Sequence, residues 1–397
     1  MKITDITTVK LSYTPDRPMA DAIHYMGQRN LLLVQVHTDE GLTGIGEAAS
    51  YGGPMESTEA VILHELKPRL IGEDPFQVER LFRKMTIPSH QHGRKGILFT
   101  AVSGIDIALW DIIGKATNTP LYRLLGGYRE KVEAYASAGF YAEGKSPDDL
   151  ANEMAGYVEA GFKGVKMKIG RNLEPMLNPL HNMDHTDFAT VSLEEDIERV
   201  AKVREAIGPK TKLAIDANNA WTPSLAIKMA RAFEPYNIEW FEEPVDTEDI
   251  EGSALVAHQL DMPVSGYETE VGLYGFRELI TRRAVDIVQP DVIWSGGVTE
   301  CKKIAAFAHA YGLPVIPHVF SSAVSLVANL HFIASIPNGG LLEFDQNPNP
   351  LRSELFNEEI KIDAEGRVNV PNRPGLGVTL NEDTVKKYKV DTGATLV

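Results

Sequence analysis

From about residue 131 the chain sets eight short apolar segments between amphipathic helical stretches: VEAYASAG, GVKMKIG, KLAIDANN, IEWFEEP, MPVSGYE, AVDIVQPD, LPVIPHV and GLLEFD. Strands that alternate with helices pair in parallel through right-handed crossovers, and eight of them are the number that closes a barrel. The eighth is followed by QNPNPLRSEL and not by a clear long helix. The expected catalytic unit is therefore an α/β barrel of the form (β/α)7β over residues 131–349.

A chain of 397 residues is too long for that barrel alone. Residues 1–130 begin with alternating segments, ITDITTVKL and NLLLVQVHTDEG followed by GLTGIGEA, which predict a small antiparallel sheet. Helical periodicity follows in STEAVILHELKPRL, PFQVERLFRKM and TAVSGIDIALWDIIGKATN, so this part reads as an α+β domain. The turn-rich tail, 350–397, is expected to pack back on it. A long stretch over 170–195 separates the second strand from its helix, and two readings stand: an ordered cover over the barrel mouth, or a variable surface loop.

The net charge of −16 argues against nucleic acid and anionic membrane as partners, since both repel it. The N-terminus, MKITDITTVKL, lacks a signal-like apolar stretch, and no segment is expected to be long enough to span a bilayer, which predicts a cytoplasmic protein. Cys301 stands alone, which excludes an internal disulfide and a cysteine metal cluster; it receives no role.

Chemistry enters where polar residues fall on the strands. Asp216, Glu242, Glu268, Asp291, His318 and Glu343 follow one another at intervals of 26, 26, 23, 27 and 25 residues, one βα unit each time. The C-terminal ends of barrel strands converge on one mouth, so these six groups are expected to share a cavity. Three carboxylates buried together repel one another unless a cation neutralises them, and oxygen ligands without Cys or His favour Mg²⁺ over zinc. Asp216, Glu242 and Glu268 are the expected ligands, with Glu270 as the alternative for the third.

On the second strand, Lys166 and Lys168 lie two residues apart and share a face. Adjacent ammonium groups disfavour each other's charge, and a nearby Mg²⁺ adds to the effect, so a lysine lowered toward neutrality, and hence a base, is expected. Asp291 and His318 end adjacent strands, where the carboxylate can fix the imidazole tautomer and raise its basicity. Glu343 is one acid more than the cation needs, and is expected to be protonated and to donate a hydrogen bond to substrate. Asn218 faces the same way as Asp216.

The set KMK, DAN, FEEP, E, PD, PH and E on strands two to eight resembles the mandelate racemase subgroup of the enolase superfamily, as do SGIDIALWDIIGKATNTPLYRLLGG and the closing PGLG. The resemblance covers essentially the whole chain. Tyr267 departs from it, since relatives more often have glycine before the fifth-strand glutamate. The resemblance implies a modified TIM barrel with an N-terminal capping domain, completed by the C-terminal tail, and a homo-oligomer.

It also implies an activity. In that superfamily a lysine or histidine base works with Mg²⁺, which stabilises an enediolate. Carried over, Mg²⁺ binds the substrate carboxylate, Lys168 or His318 removes the α-proton, and Lys166 and Glu343 help to stabilise the enediolate. Loss of a β-hydroxyl then gives a 2-keto-3-deoxy acid from an acid sugar, an aldonate or aldarate. Reprotonation from the opposite face, as in a racemase or epimerase, is the alternative. A muconate-type cycloisomerase carries a lysine on strand six, where this chain has Asp291. Substrate selection is expected from cap loops containing His24 and Tyr25, and Arg94 and Lys95.

Overall fold

The computed structural model describes residues 1–50, 53–172 and 188–390. Residues 173–187, most of the long stretch after the second barrel strand, lie outside the described residues.

The cap opens with strand β1 (Ile3–Tyr13), the two-residue strands β2 (Met19–Ala20) and β3 (Tyr25–Met26), then β4 (Arg29–Thr38) and β5 (Thr43–Ala48). β1, β4 and β5 form an antiparallel sheet in that order, while β2 and β3 make a separate ribbon. The helix Ile97–Ala116 lies across this sheet, and small residues let it approach. A Cβ on Gly46 would stand 2.0 Å from the Gly104 carbonyl oxygen, so the GIGEA segment admits no side chain there. This helix corrects the expectation about membranes. It is long and apolar enough to cross one, but 83% of its apolar stretch is buried inside the fold. It is apolar all round because the sheet covers one side and other helices cover the rest.

The barrel comprises β6 (Lys131–Ser137), β7 (Gly164–Lys168), β8 (Lys212–Asp216), β9 (Trp240–Glu242), β10 (Val264–Gly266), β11 (Ile287–Val288) and β12 (Leu342–Asp345). They pair in parallel in the order β11-β10-β9-β8-β7-β6-β12. The expected seventh strand, LPVIPHV, is not a regular strand. It contributes isolated parallel bridges, from Val315 to Val288 and to Gly339, which fill the gap between β11 and the approach to β12. Pro314 and Pro317 explain the difference, because neither has an N–H to give to a ladder. The segment donates from Val315 N–H to Asn338 O at 2.9 Å and from Ile316 N–H to Val288 O at 3.1 Å, and it accepts at Pro314 O from Val288 N–H at 3.0 Å and at Val315 O from Gly340 N–H at 2.8 Å.

Inside the barrel, Tyr135, Ala214, Trp240, Ile287 and Ile316 form a small plug below the polar end. The larger apolar clusters lie between strands and surrounding helices. The tail first adds β13 (Arg367–Asn369) antiparallel to β6, then runs to the cap, where Val390 N–H reaches Lys10 O at 3.0 Å. Cap and barrel also meet through buried acids. Asp106 accepts from Thr299 N–H at 2.9 Å and Thr299 Oγ1 at 2.6 Å, and Glu47 accepts from Ser322 Oγ at 2.5 Å and Ser325 N–H at 3.0 Å. Cys301 is buried.

Candidate active site

Parallel strands ending at one level bring their last residues together. The register aligns Lys168 with Asp216 and Asp216 with Glu242 across β7, β8 and β9, so the strand ends present them side by side. One carboxylate oxygen each of Asp216, Glu242 and Glu268 lies within 4.8 Å of the others. Asp216 and Glu242 are fully buried, whereas the Glu268 side chain keeps 15% of its exposure, so the cluster opens on that side.

Three observations fit this cluster to a hard cation. The donors are all carboxylate oxygens, without nitrogen or sulfur, which suits Mg²⁺. The only positive charges that the described residues aim at Asp216 and Glu242 are the two lysine ammonium groups, which show how strongly the oxygens call for a cation. Glu268 Oε2 is buried and accepts no hydrogen bond from the described residues, although His318 Nε2 stands 3.2 Å away.

The alternative third ligand, Glu270, is tied elsewhere. Its carboxylate accepts from its neighbour Val271 N–H at 2.8 Å and pairs with Lys95 Nζ at 3.1 Å. Tyr267 does not crowd the site either, since it is fully buried and its hydroxyl donates to Ser253 Oγ at 2.8 Å.

Lys166 pairs with Glu242, with Glu343 at 2.8 Å and, more distantly, with Asp216 at 3.8 Å; Lys168 pairs with Asp216. The part of the lysine expectation that rests on their mutual repulsion is corrected here. Burial alone would lower both, but the carboxylates in contact with them outweigh it and hold both above the ordinary lysine value. The Glu343 expectation is corrected for the same reason. Burial opposes its charge, yet Lys166, with His318 and Ser137, holds it at about 2. It is an acceptor, taking the Val319 N–H at 2.8 Å as well, and its role is to hold Lys166.

His318 is a bridge between two acids. Nδ1 lies 2.9 Å from Asp291 Oδ2, and Nε2 faces Glu268. Asp291 is itself anchored, accepting at Oδ1 from Asn329 Nδ2 and from Ile293 N–H, both at 3.0 Å. Burial would lower the imidazole, but Glu268 and Asp291 lift it to about 10, so it carries a proton at neutral pH. In the ring, strands two and seven place Lys168 and His318 on different sides of the carboxylates.

Asn218 is buried beside Asp216, its backbone N–H donating to Asp216 Oδ1 at 2.9 Å, and its own Oδ1 is buried without a partner among the described residues. The cap contributes His24, half-exposed, with Nδ1 3.0 Å from the buried Asp21. The Asp21 carboxylate raises the imidazole's pKa. Tyr25 packs edge-on against Phe188, with centroids 5.0 Å apart. The structure does not bring Arg94 or Lys95 to the cluster: Arg94 is exposed, and Lys95 is taken by Glu248 at 2.9 Å and by Glu270.

Other residues at the mouth escaped the sequence reading. Arg29, from the start of β4, pairs with Asp345 at 2.7 Å and lies 3.9 Å over the Phe320 ring. Phe320 stacks on Phe140 at 5.3 Å, and Lys168 Nζ sits 5.0 Å over Phe140. Phe320 and Asp345 were within reach, each being two residues beyond a site residue and on the same face of an extended segment. Nothing local marks Arg29 or Phe140. Gln289 and Trp240 both donate to Glu242 Oε2, at 2.9 and 3.0 Å.

The chain resembles known proteins over most of its length. Residues 3–126 match the family described as mandelate racemase / muconate lactonizing enzyme, N-terminal domain, and residues 149–384 match the enolase C-terminal domain-like family. An arabinonate dehydratase from Saccharolobus solfataricus is 40% identical, over 98% of this chain and 99% of its own. A D-galactarolactone cycloisomerase from Agrobacterium fabrum is 36% identical, over 98% and 99%. Among solved structures, a racemase from Streptomyces coelicolor A3(2) with bound magnesium superposes with a TM-score of 0.86 at 28% identity, covering 98% of this chain and 100% of that one. The chain belongs to the enolase superfamily, in its mandelate racemase subgroup.

Proposed function

We propose that the chain is a Mg²⁺-dependent acid-sugar dehydratase, turning an aldonate or aldarate into a 2-keto-3-deoxy acid. The observation that carries this reading is the placement of two proton-transfer groups, Lys168 and the Asp291-held His318, against opposite members of one carboxylate cluster. A hard divalent cation held by Asp216, Glu242 and Glu268 would supply positive charge beside a substrate carboxylate and take over the carboxylates that now carry the two ammonium groups.

One of Lys168 and His318 takes the α-proton as the C–H bond breaks, leaving the electron pair on the enediolate. The other gives a proton to the β-hydroxyl as the C–O bond breaks, so that water leaves and the enol tautomerises to the keto acid. The configuration at C2 decides which group is the base. General-base catalysis supplies about 10²–10⁴-fold, too little for so weak a carbon acid. Lys166, fixed by Glu242 and Glu343, is placed to stabilise developing negative charge. The 40% identity to an arabinonate dehydratase supports elimination as the outcome. The 36% identity to a D-galactarolactone cycloisomerase makes ring opening the second reading.

The test is incubation of mono- and diacid sugars and their lactones with Mg²⁺ in deuterated buffer, followed by keto-acid assay and proton NMR, with and without excess chelator. Keto acid formed from an open-chain sugar acid, and abolished by chelator, is expected. Turnover of lactones alone supports the cycloisomerase, α-deuterium exchange without keto acid supports a racemase or epimerase, and full activity in chelator overturns the cation reading.

A further inference from the structure

The residue after the second candidate ligand is a glutamate, Glu243, whose carboxylate bonds to an amide and an asparagine. Glu243 is fully buried, and its backbone is left-handed at φ 43°, a conformation costly for a glutamate. That turn sends its side chain not outward, as strand alternation would, but sideways along the mouth. There Oε1 accepts the backbone N–H of Glu268 at 2.8 Å, and Oε2 accepts Asn219 Nδ2 at 2.7 Å. Asn218 and Asn219, just beyond Asp216, are also left-handed, at φ 41° and 66°, and Asn219 N–H bonds to Glu243 O at 2.8 Å.

We infer that Glu243 is a positioning residue for the cation site, one carboxylate that fixes the loops carrying all three candidate ligands. It is covalently next to Glu242, holds the amide of Glu268, and holds the side chain three residues past Asp216. The inference rests on Asp216, Glu242 and Glu268 as ligands. Asn219 is tied as well: its Oδ1 accepts from Thr247 Oγ1 at 2.7 Å, and Thr247 Oγ1 lies 3.0 Å from Thr269 Oγ1, so turning the Asn219 amide over requires both hydroxyls to reverse. With that hydroxyl pair as it stands, Glu243→Gln sets its amide NH₂ against either the Glu268 N–H or the Asn219 NH₂, donor against donor, and relief comes only at the cost of reversing the Thr247–Thr269 pair.

This gives a swap that tests hydrogen bonding apart from charge. In the double variant Glu243→Gln with Asn219→Asp, the new amide donates to the new carboxylate, Glu268 N–H keeps its acceptor, Thr247 keeps its acceptor, and the net charge equals that of the wild type. Mg²⁺ and Mn²⁺ binding would be measured by calorimetry on the full chain without substrate, so the result does not depend on which reaction is catalysed. Glu243→Gln is expected to weaken binding by about 10- to 100-fold, the usual scale for an outer partner of a ligand. The double variant is expected to return to within about threefold of wild type, and Asn219→Ala, which leaves the Glu243 side chain in place, should weaken binding in its own right.

Wild-type affinity in both single variants overturns the inference. So does a double variant as weak as Glu243→Gln, which would assign the loss to charge or to local collapse. If Glu243→Gln does not fold, Asn219→Ala decides alone by the same criterion. A wild-type chain that binds neither ion would overturn the ligand assignment itself, and this inference with it.

Discussion

Replacing Lys166 with Met removes a cation that faces three buried carboxylates. Its ammonium is fully buried, 2.8 Å from Glu343 and 3.8 Å from Asp216, and it pairs with Glu242 as well. At an effective dielectric constant of about 20, those two measured separations correspond to about 6 and about 4 kcal/mol of attraction. Dehydrating the ammonium costs several kcal/mol in the other direction. The net loss on deleting one partner of such a group is about 3–5 kcal/mol, because the remaining carboxylates stay buried and uncompensated.

The sign of the pH dependence follows. In the wild type Glu343 is held at about 2, below its unfolded value, so it contributes stability at all pH values above that range and loses it only as pH falls toward 2. Without Lys166 burial dominates and Glu343 moves above its unfolded value, so acid now stabilises the variant. The gap between wild type and Lys166→Met should therefore shrink by about 2 kcal/mol between pH 8 and pH 5.5. Urea unfolding in chelator, followed by tryptophan fluorescence, reads it, and Trp240 reports from beside Glu242. A loss under about 1 kcal/mol at pH 8, or a gap that widens toward pH 5.5, would refute the reasoning.

Two further expectations can be checked directly. Lys168→Ala and His318→Asn should each abolish keto-acid formation while leaving the circular dichroism spectrum unchanged, and robust turnover in both would remove the proposed proton-transfer pair. Glu47 and Asp106, at the cap–barrel boundary, are both raised to about 7, chiefly by burial. Carboxyls raised in the folded state bind protons on folding, so stability falls as pH rises from their unfolded values through about 7. Each contributes on the order of 3 kcal/mol to that slope. Glu47→Gln and Asp106→Asn should flatten the pH dependence of urea unfolding and gain stability at pH 8; variants that keep the wild-type slope would show that these acids are not its source.

The sequence made the mouth of the barrel legible because one geometric rule converts chain position into space. Acids spaced by one βα unit at strand ends must converge, whatever lies between them, and Asp216, Glu242 and Glu268 do so within 4.8 Å. The seventh strand shows the limit of the apolar-run signal, since Pro314 and Pro317 leave LPVIPHV with too few donors for a regular ladder while His318 still reaches the same mouth. The helix Ile97–Ala116 shows another, because composition alone does not separate a bilayer from a protein interior as the surrounding medium.

What stayed hidden shares one cause: the deciding neighbour lies on another strand or in the other part of the fold. Lys166 and Lys168 looked like a mutually repelling pair because they are adjacent on one strand, but their nearest charges are the carboxylates of β8, β9 and β12. Arg29 meets Asp345 across 316 positions of chain. Glu243 would be discounted by alternation, which points it away from Glu242, and only the left-handed turn returns it to the site. Repulsion between like groups along one strand therefore carries little weight in a site of this kind until the charges across the sheet are counted. Asp216, Glu242 and Glu343 hold the two lysines in their charged form, so on the proposed mechanism Lys168 becomes a base only once its carboxylate partner is drawn away.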